Sequence, residues 1–455
     1  MLMSLGSYMT YRFLKSASVC IPFLFISTLP AVALDRVMGH GGPVKDVVVS
    51  PNDQLLASVS FDYSVVLWDT QSFQESHRLL GHDASVVTAA FSPDGRFLAT
   101  GGDDFYTLIW DMNVIWGLED PSPAAKFLHK GKIANITFSA DSKLMASASW
   151  DGYLRVWSLE DMSLIAELAG HQGPVNAVQF LNDNTQLLSA GRDGHIRLWD
   201  LKEKRNTRSL VRNGWGVNVM HVDEKLRFIA YGTADGAMKI QSLDENDVSV
   251  TMASGKDPVL SIQYHPIFQK LAFGTAGGRV VIADMASSSV QNDFHITDGP
   301  VWGLTLFDNA EKLAVAGLDD FFTTLPVGIS ADDIEVEIPA NRRFHPQLAT
   351  MDNGARQFAR KCSVCHSLEP NYKRRAGPTL YGIFGRKAGT AEGYAYSEAL
   401  RNSNLIWDEI TISDLFDHGP DVVTPGSKMP IQVIKNDTDL NDLVLFLKIA
   451  TAPQN

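Results

Sequence analysis

A Trp-Asp pair, or a remnant of it, returns through the first part of the chain at a nearly constant interval: Trp68-Asp69, Trp110-Asp111, Trp157-Ser158 and Trp199-Asp200. Six residues ahead of each tryptophan stands an aspartate, Asp62, Asp104, Asp151 and Asp193. Carried forward, that frame makes Asp235 point to Gln241, Gly277 to Ala283 and Asp320 to Pro326, at intervals of 42, 47, 42, 42, 42 and 43 residues. Seven units follow. A unit of this length cannot bury its own apolar face, so neighbours must stack to build a core. Within a unit, Val86 to Phe91, the turn Ser92-Pro93-Asp94-Gly95 and Phe97 to Thr100 read as strand, turn and strand. The Trp strand and one after it bring the count to four strands per unit.

Four strands repeating every ~40 to 45 residues resemble the WD40 family, whose units close radially into a propeller. The resemblance spans residues 34–338, carried by the tryptophans in units one to four and by frame and turn signals in five to seven. It implies an all-β, seven-bladed propeller, closed by an outer strand from either Leu34-Asp35-Arg36-Val37 or Ile334-Glu335-Val336-Glu337-Ile338. His40, His82, His129 and His171 recur at one place in their units. They could form a metal array in the channel, but the resemblance implies a scaffold in which each joins the turn aspartate and the strand tryptophan in a hydrogen-bonded set. Phe61, Phe105, Trp150, Trp215, Trp302 and Phe321 fall at loop positions expected on one face, either as a contact surface or packed between blades.

A linker over residues 339–348 ends the repeats, and Ala349 to Lys361 predicts an amphipathic helix that delivers Cys362-Ser363-Val364-Cys365-His366. Two thiols at this spacing with an imidazole directly after them suit covalent attachment of haem through both vinyl groups, with His366 on the iron. Zinc would want four ligands, and no second Cys or His pair stands nearby. Downstream come Gly377-Pro378-Thr379-Leu380-Tyr381-Gly382-Ile383-Phe384-Gly385-Arg386, then Gly393-Tyr394-Ala395-Tyr396, Trp407 and Pro425-Gly426-Ser427-Lys428-Met429-Pro430, with a last helix expected from Thr438 to Ile449.

In that order and spacing, the segment is similar to class I cytochromes c of the mitochondrial type, which gives an all-α domain over residues 349–455. The resemblance implies one covalent haem c on Cys362 and Cys365, with His366 and Met429 as the metal ligands. It implies that the Pro378 carbonyl orients His366 and that Arg386 and Trp407 lie near the propionates. A six-coordinate iron favours electron transfer over substrate chemistry. Phe416 stands where this family usually has a tyrosine close to the Met sulfur, so that hydroxyl contact is expected to be missing.

At the other end, Arg12 and Lys15 precede the apolar run Val19 to Leu29 and the small-x-small Ala31-Val32-Ala33, which reads as a signal peptide over residues 1–33. Membrane association is expected only if it stays uncleaved. Lys+Arg against Asp+Glu is 25 to 40 over residues 34–344 and 12 to 12 over 345–455, so the acid lies in the repeat domain. Nucleic acid is an unsuitable partner for such a surface, and a basic protein suits it. Arg360, Lys361, Lys373, Arg374, Arg375, Lys387 and Lys428 could engage a redox partner or the acidic propeller itself. The expectation is a periplasmic electron carrier whose propeller docks a redox partner protein. One alternative is an oxidoreductase with a second cofactor in the propeller, for which His221, His265 and His295 are scattered candidates. The other is a scaffold that senses haem state.

Overall fold

The computed structural model describes residues 34–243, 249–287, 289–329, 351–370, 376–392, 394, 396, 398–425, 427, 429 and 433–453. The signal segment and the linker at 339–348 lie outside the described residues, as does the closing candidate Ile334 to Ile338.

Seven four-stranded antiparallel sheets stand side by side as blades. The first runs from the inner strand Val44–Val49 through Leu55–Ser60 and Ser64–Asp69 to the outer strand Glu75–Leu80. The two middle strands are buried almost throughout, because each is covered by its own blade on both edges and by neighbouring blades on both faces. Apolar clusters therefore span pairs of blades, as where Leu67 and Leu79 of the first pack with Leu98 and Trp110 of the second. The ring closes non-locally. Asp35–Met38 pairs antiparallel with Phe321–Pro326, so the N-terminal segment supplies the outer strand of the seventh blade.

The seventh blade corrects the expected frame by one residue. Trp68 pairs with Leu56 and Trp199 with Leu187, and the equivalent partner of Leu313 is Leu325, not Pro326. Asp319 rather than Asp320 is then the turn aspartate, and the last interval becomes 42 like its neighbours. The five extra residues in the second interval lie after Asp111, whose side chain caps the short helix Met112–Ile115 through the amide of Asn113.

The recurrent histidines belong to the scaffold. His82 Nδ1 lies 2.9 Å from Asp104 and Nε2 2.9 Å from Thr100 Oγ1, which also accepts Trp110 Nε1–H at 3.0 Å. His40, Asp62, Ser58 and Trp68 repeat the set in the first blade, as do His171, Asp193, Ser189 and Trp199 in the fourth. In the third, His129 keeps Ser147 but turns Nδ1 to the carbonyl of Phe127, and Asp151 pairs with Arg155 at 2.8 Å. These sets satisfy buried polar groups that would otherwise be costly.

The residue after the turn aspartate, or after Gly277 in its place in the sixth blade, adopts the left-handed conformation in six blades. Four blades place glycine there, Gly152, Gly194, Gly236 and Gly278, but the first two carry Tyr63 at φ 68° and Phe105 at φ 70°. A left-handed residue with a Cβ costs roughly 1–2 kcal/mol.

The helical domain is built on Asn353–Lys361 crossing Asp437–Ala450, with Glu409–His418 against them. The crossing is close enough that a Cβ on Gly354 would lie 2.1 Å from the Asp442 carbonyl oxygen. Phe358, Leu380, Ile412, Phe416, Leu443 and Leu447 form its core, which Cys362 joins from the end of the first helix.

Candidate haem site

The first helix stops at Cys362, and the chain then turns tightly, with Cys365 N–H and His366 N–H both donating to the Cys362 carbonyl at 3.0 and 2.8 Å. Cys362 is buried, and burial pushes its thiol up to about 12; Cys365 lies half-buried, and the two are not bonded to each other. Both thiols face one cleft, shared with His366, Pro378, Arg386, Trp407 and Met429. All seven residues singled out in the sequence thus meet in one place.

His366 Nδ1 lies 2.8 Å from the Pro378 carbonyl oxygen. A carbonyl can only accept, so Nδ1 carries the hydrogen and Nε2 the lone pair of the neutral ring. That is the form a metal ligand requires. Gly377 lies flat against the same imidazole: a Cβ there would come within 2.4 Å of His366 Cε1 and 2.7 Å of Nδ1. Its amide donates to the Cys365 carbonyl at 2.8 Å, tying the loop to the cysteine turn. Tyr394 Oη donates to the carbonyl of Ala376 at 2.6 Å and fixes the loop from its other side.

Across the cleft, Arg386 directs Nη1 to the Tyr381 carbonyl at 3.0 Å and Nη2 to that of Thr379 at 2.7 Å, and burial lowers its pKa. The backbone here exchanges hydrogen bonds with Trp407, whose N–H donates to the Arg386 carbonyl and whose carbonyl accepts from Gly385 N–H. The guanidinium is thus anchored by backbone and held as a fixed charge on the cleft wall. Met429 is half-buried against the apolar core, its amide donating to Ser427 Oγ at 3.0 Å. Phe416, buried, presents only a ring to the cleft.

These residues fit haem c: two thiols not joined in a disulfide next to an oriented imidazole, a glycine where only a ring face fits, apolar walls and one half-buried cation. Among the described residues no group of three or more His, Cys, Asp or Glu is arranged to hold a bare metal ion. His221 packs on Tyr264 and His265 on Phe268, while His295 ends an outer strand, so the structure does not bring these three together.

One residue of the cleft was not legible from the haem motifs. Tyr63, from the strained turn of the first blade, lines it together with Cys365, Ala376 and Tyr394. A signal did exist, because Tyr63 interrupts a column of glycines in the aligned repeats. Of the rim aromatics, Phe105, Trp150 and Trp215 are exposed at 40%, 52% and 62%. Phe61 instead packs on Trp302, over which Lys45 lies at 4.1 Å, and Arg36 covers Phe321 at 5.6 Å.

A propeller carrying a c-type cytochrome domain is the class that this fold and cleft define. Residues 33–69, 73–111, 122–158 and 162–200 match the WD domain, G-beta repeat family, and residues 351–450 match the cytochrome c family. The second region is 39% identical over 94 residues to cytochrome c of Kluyveromyces lactis, covering 84% of that protein and 21% of this chain. It is 39% identical over 92 residues to cytochrome c2 of Blastochloris viridis, covering 72% of that protein and 20% of this chain. With cytochrome c-550 of Bradyrhizobium diazoefficiens it shares 42% over 87 residues, 63% of that protein and 19% of this chain. The chain belongs to the cytochrome c family through its C-terminal electron-carrier domain, which follows a WD40 propeller.

Proposed function

We propose that this is an exported electron-transfer protein with a single covalent haem c, and that its propeller docks a redox partner beside that haem. In this reading Cys362 and Cys365 would hold the porphyrin, and His366 and Met429 would hold its iron. Haem c, when bound, would supply a one-electron iron couple, whose potential a thioether ligand used together with histidine would raise. The chain's own residues do the rest. Pro378 and Gly377 hold the imidazole in one orientation, the apolar wall excludes water, and Arg386 supplies a fixed positive charge for the propionate side.

The observation that carries the docking is that the exposed Phe105, Trp150 and Trp215 belong to loops on the same face of the propeller as Tyr63, which lines the cleft. Exposed aromatics of this kind are the usual anchors of protein contacts. A partner held there would meet the haem at an effective concentration of order millimolar. The acidic propeller favours a basic partner surface. The basic lead, apolar run and small-x-small site of residues 1–33 support a signal peptide and export, and cleavage after Ala33 would leave Leu34 and the strand Asp35–Met38 intact to close the ring.

Two measurements test the reading. Purified holoprotein should be fully reduced by ascorbate and reoxidised by ferricyanide, and a haem that does not cycle would overturn the carrier. Sequencing of mature protein from the periplasmic fraction should begin at Leu34, and protein found only in the cytoplasm would overturn export.

A further inference from the structure

We propose that the loop face of the first two blades is the docking surface for the chain's own cytochrome domain, with Tyr63 as a stopper over the mouth of the haem cleft. The inference rests on haem occupying that cleft, as proposed above.

The argument begins in the repeat. At the left-handed turn position, glycine is the low-energy choice, and four blades use it. An aromatic residue there is an outlier, and an outlier held by an otherwise regular scaffold points to a function that outweighs its strain. The turn itself does not need the ring, since the hydrogen bond from the Tyr63 amide to the Ser60 carbonyl recurs with glycine in the third blade, from Gly152 to Ser149. What the ring does is reach the other domain. It lines the same cleft as Cys365 and Tyr394, both near enough to act on its phenol. Burial holds its phenol well above the ordinary tyrosine range, and Tyr394 and Cys365 of the cytochrome domain are close enough to add to the shift. Asp103 and Asp83, from the neighbouring loops of the second blade, contribute as well, so they stand beside the same contact. The second aromatic of the pair, Phe105, remains 40% exposed one blade away. Tyr63 thus serves the internal contact, and Phe105 with Trp150 and Trp215 remains for an outside protein.

A stopper makes haem access conditional. Electron exchange at the Cys365 side requires the two domains to part or a partner to displace the ring. The ring's burial favours the closed form over the open one by on the order of tenfold or more.

The experiment uses the full-length holoprotein and its Tyr63→Gly and Tyr63→Phe variants. Rates of oxidation of the ferrous haem by ferricyanide are compared in stopped flow, and radii of gyration by X-ray scattering. Tyr63→Gly should oxidise about tenfold faster and be more extended. Its propeller should unfold no earlier than wild type, because glycine relieves the turn. Tyr63→Phe should stay within about twofold of wild type in rate, because ring packing closes the cleft. A Tyr63→Gly protein with unchanged rate and radius overturns the proposal, and so does a Tyr63→Phe protein that behaves like Tyr63→Gly. Cycling of the wild type tests the carrier reading separately, whereas the difference among variants tests only the stopper.

Discussion

Replacing Gly377 by alanine probes how the protein fixes its iron ligand. The backbone of Gly377 is not left-handed, so the added methyl acts only through space. It would arrive 2.4 Å from His366 Cε1 and 2.8 Å from Nε2, about 1 Å inside ordinary carbon contact. The loop cannot retreat easily, because the Gly377 amide is bonded to Cys365 and Tyr394 holds the neighbouring Ala376 carbonyl. The imidazole must therefore rotate or shift and weaken its 2.8 Å bond to Pro378. Overpacking of this kind costs about 1–3 kcal/mol, and the weakened hydrogen bond adds up to about 1 kcal/mol. Guanidinium unfolding followed at the haem absorbance should thus show a loss of roughly 1–4 kcal/mol, with a changed reduction potential in the protein that remains folded. Gly385→Ala is the control. Its φ is +85° but nothing lies within 4 Å of the new methyl, so it should lose only about 1 kcal/mol and leave the potential alone. Equal potentials for wild type and Gly377→Ala, with stability changed by less than about 0.5 kcal/mol, would refute the claim that this glycine sets the ligand's orientation.

Three further expectations follow from particular residues. Burial raises the Asp46 carboxyl from 3.8 to about 7, against the hydrogen bonds it accepts from Ala89 and Val47. Folded Asp46 therefore keeps a proton that the unfolded chain has lost, so its contribution is full below about pH 4 and declines as pH rises to 7; Asp46→Asn should flatten the urea-measured stability across that window by up to ~4 kcal/mol, and an unchanged slope would contradict the assignment. Thr100→Val leaves His82 Nε2 and Trp110 Nε1 without their buried hydroxyl, and should cost about 2–3 kcal/mol in thermal or urea unfolding of the propeller; a loss below about 0.5 kcal/mol would show that the set is not structural. Met429→Ala should leave the haem covalently attached, as read by haem stain after denaturing electrophoresis, while altering the oxidised absorption spectrum; an unchanged spectrum would remove Met429 as the ligand.

The seven-fold period was legible because one buried polar set recurs, and Trp68, Trp110, Trp157 and Trp199 mark it even in a bare sequence. In the last three blades Gln241, Ala283 and Leu325 take the tryptophan's place, and only the turn frame survives. The doublet Asp319-Asp320 then allowed either residue to be the turn aspartate, and strand pairing alone decides it. Closure was undetermined for a related reason. Asp35–Met38 meets a strand almost three hundred positions away, and nothing local distinguishes it from the other alternating segment. The haem residues could be read because attachment chemistry demands adjacent thiols and imidazole. The contact of Gly377 with His366 could not, since a glycine gives no sign of what its missing side chain makes room for. Tyr63 was readable in principle, by aligning turns rather than searching for haem motifs.

The most direct test of the central claim is coulometric titration of the holoprotein together with a haem count per chain. One covalently bound haem taking up and releasing one electron reversibly, low-spin in the oxidised state, is the predicted result. A haem freed by acid acetone, a high-spin oxidised iron, or no reversible electron uptake would contradict it.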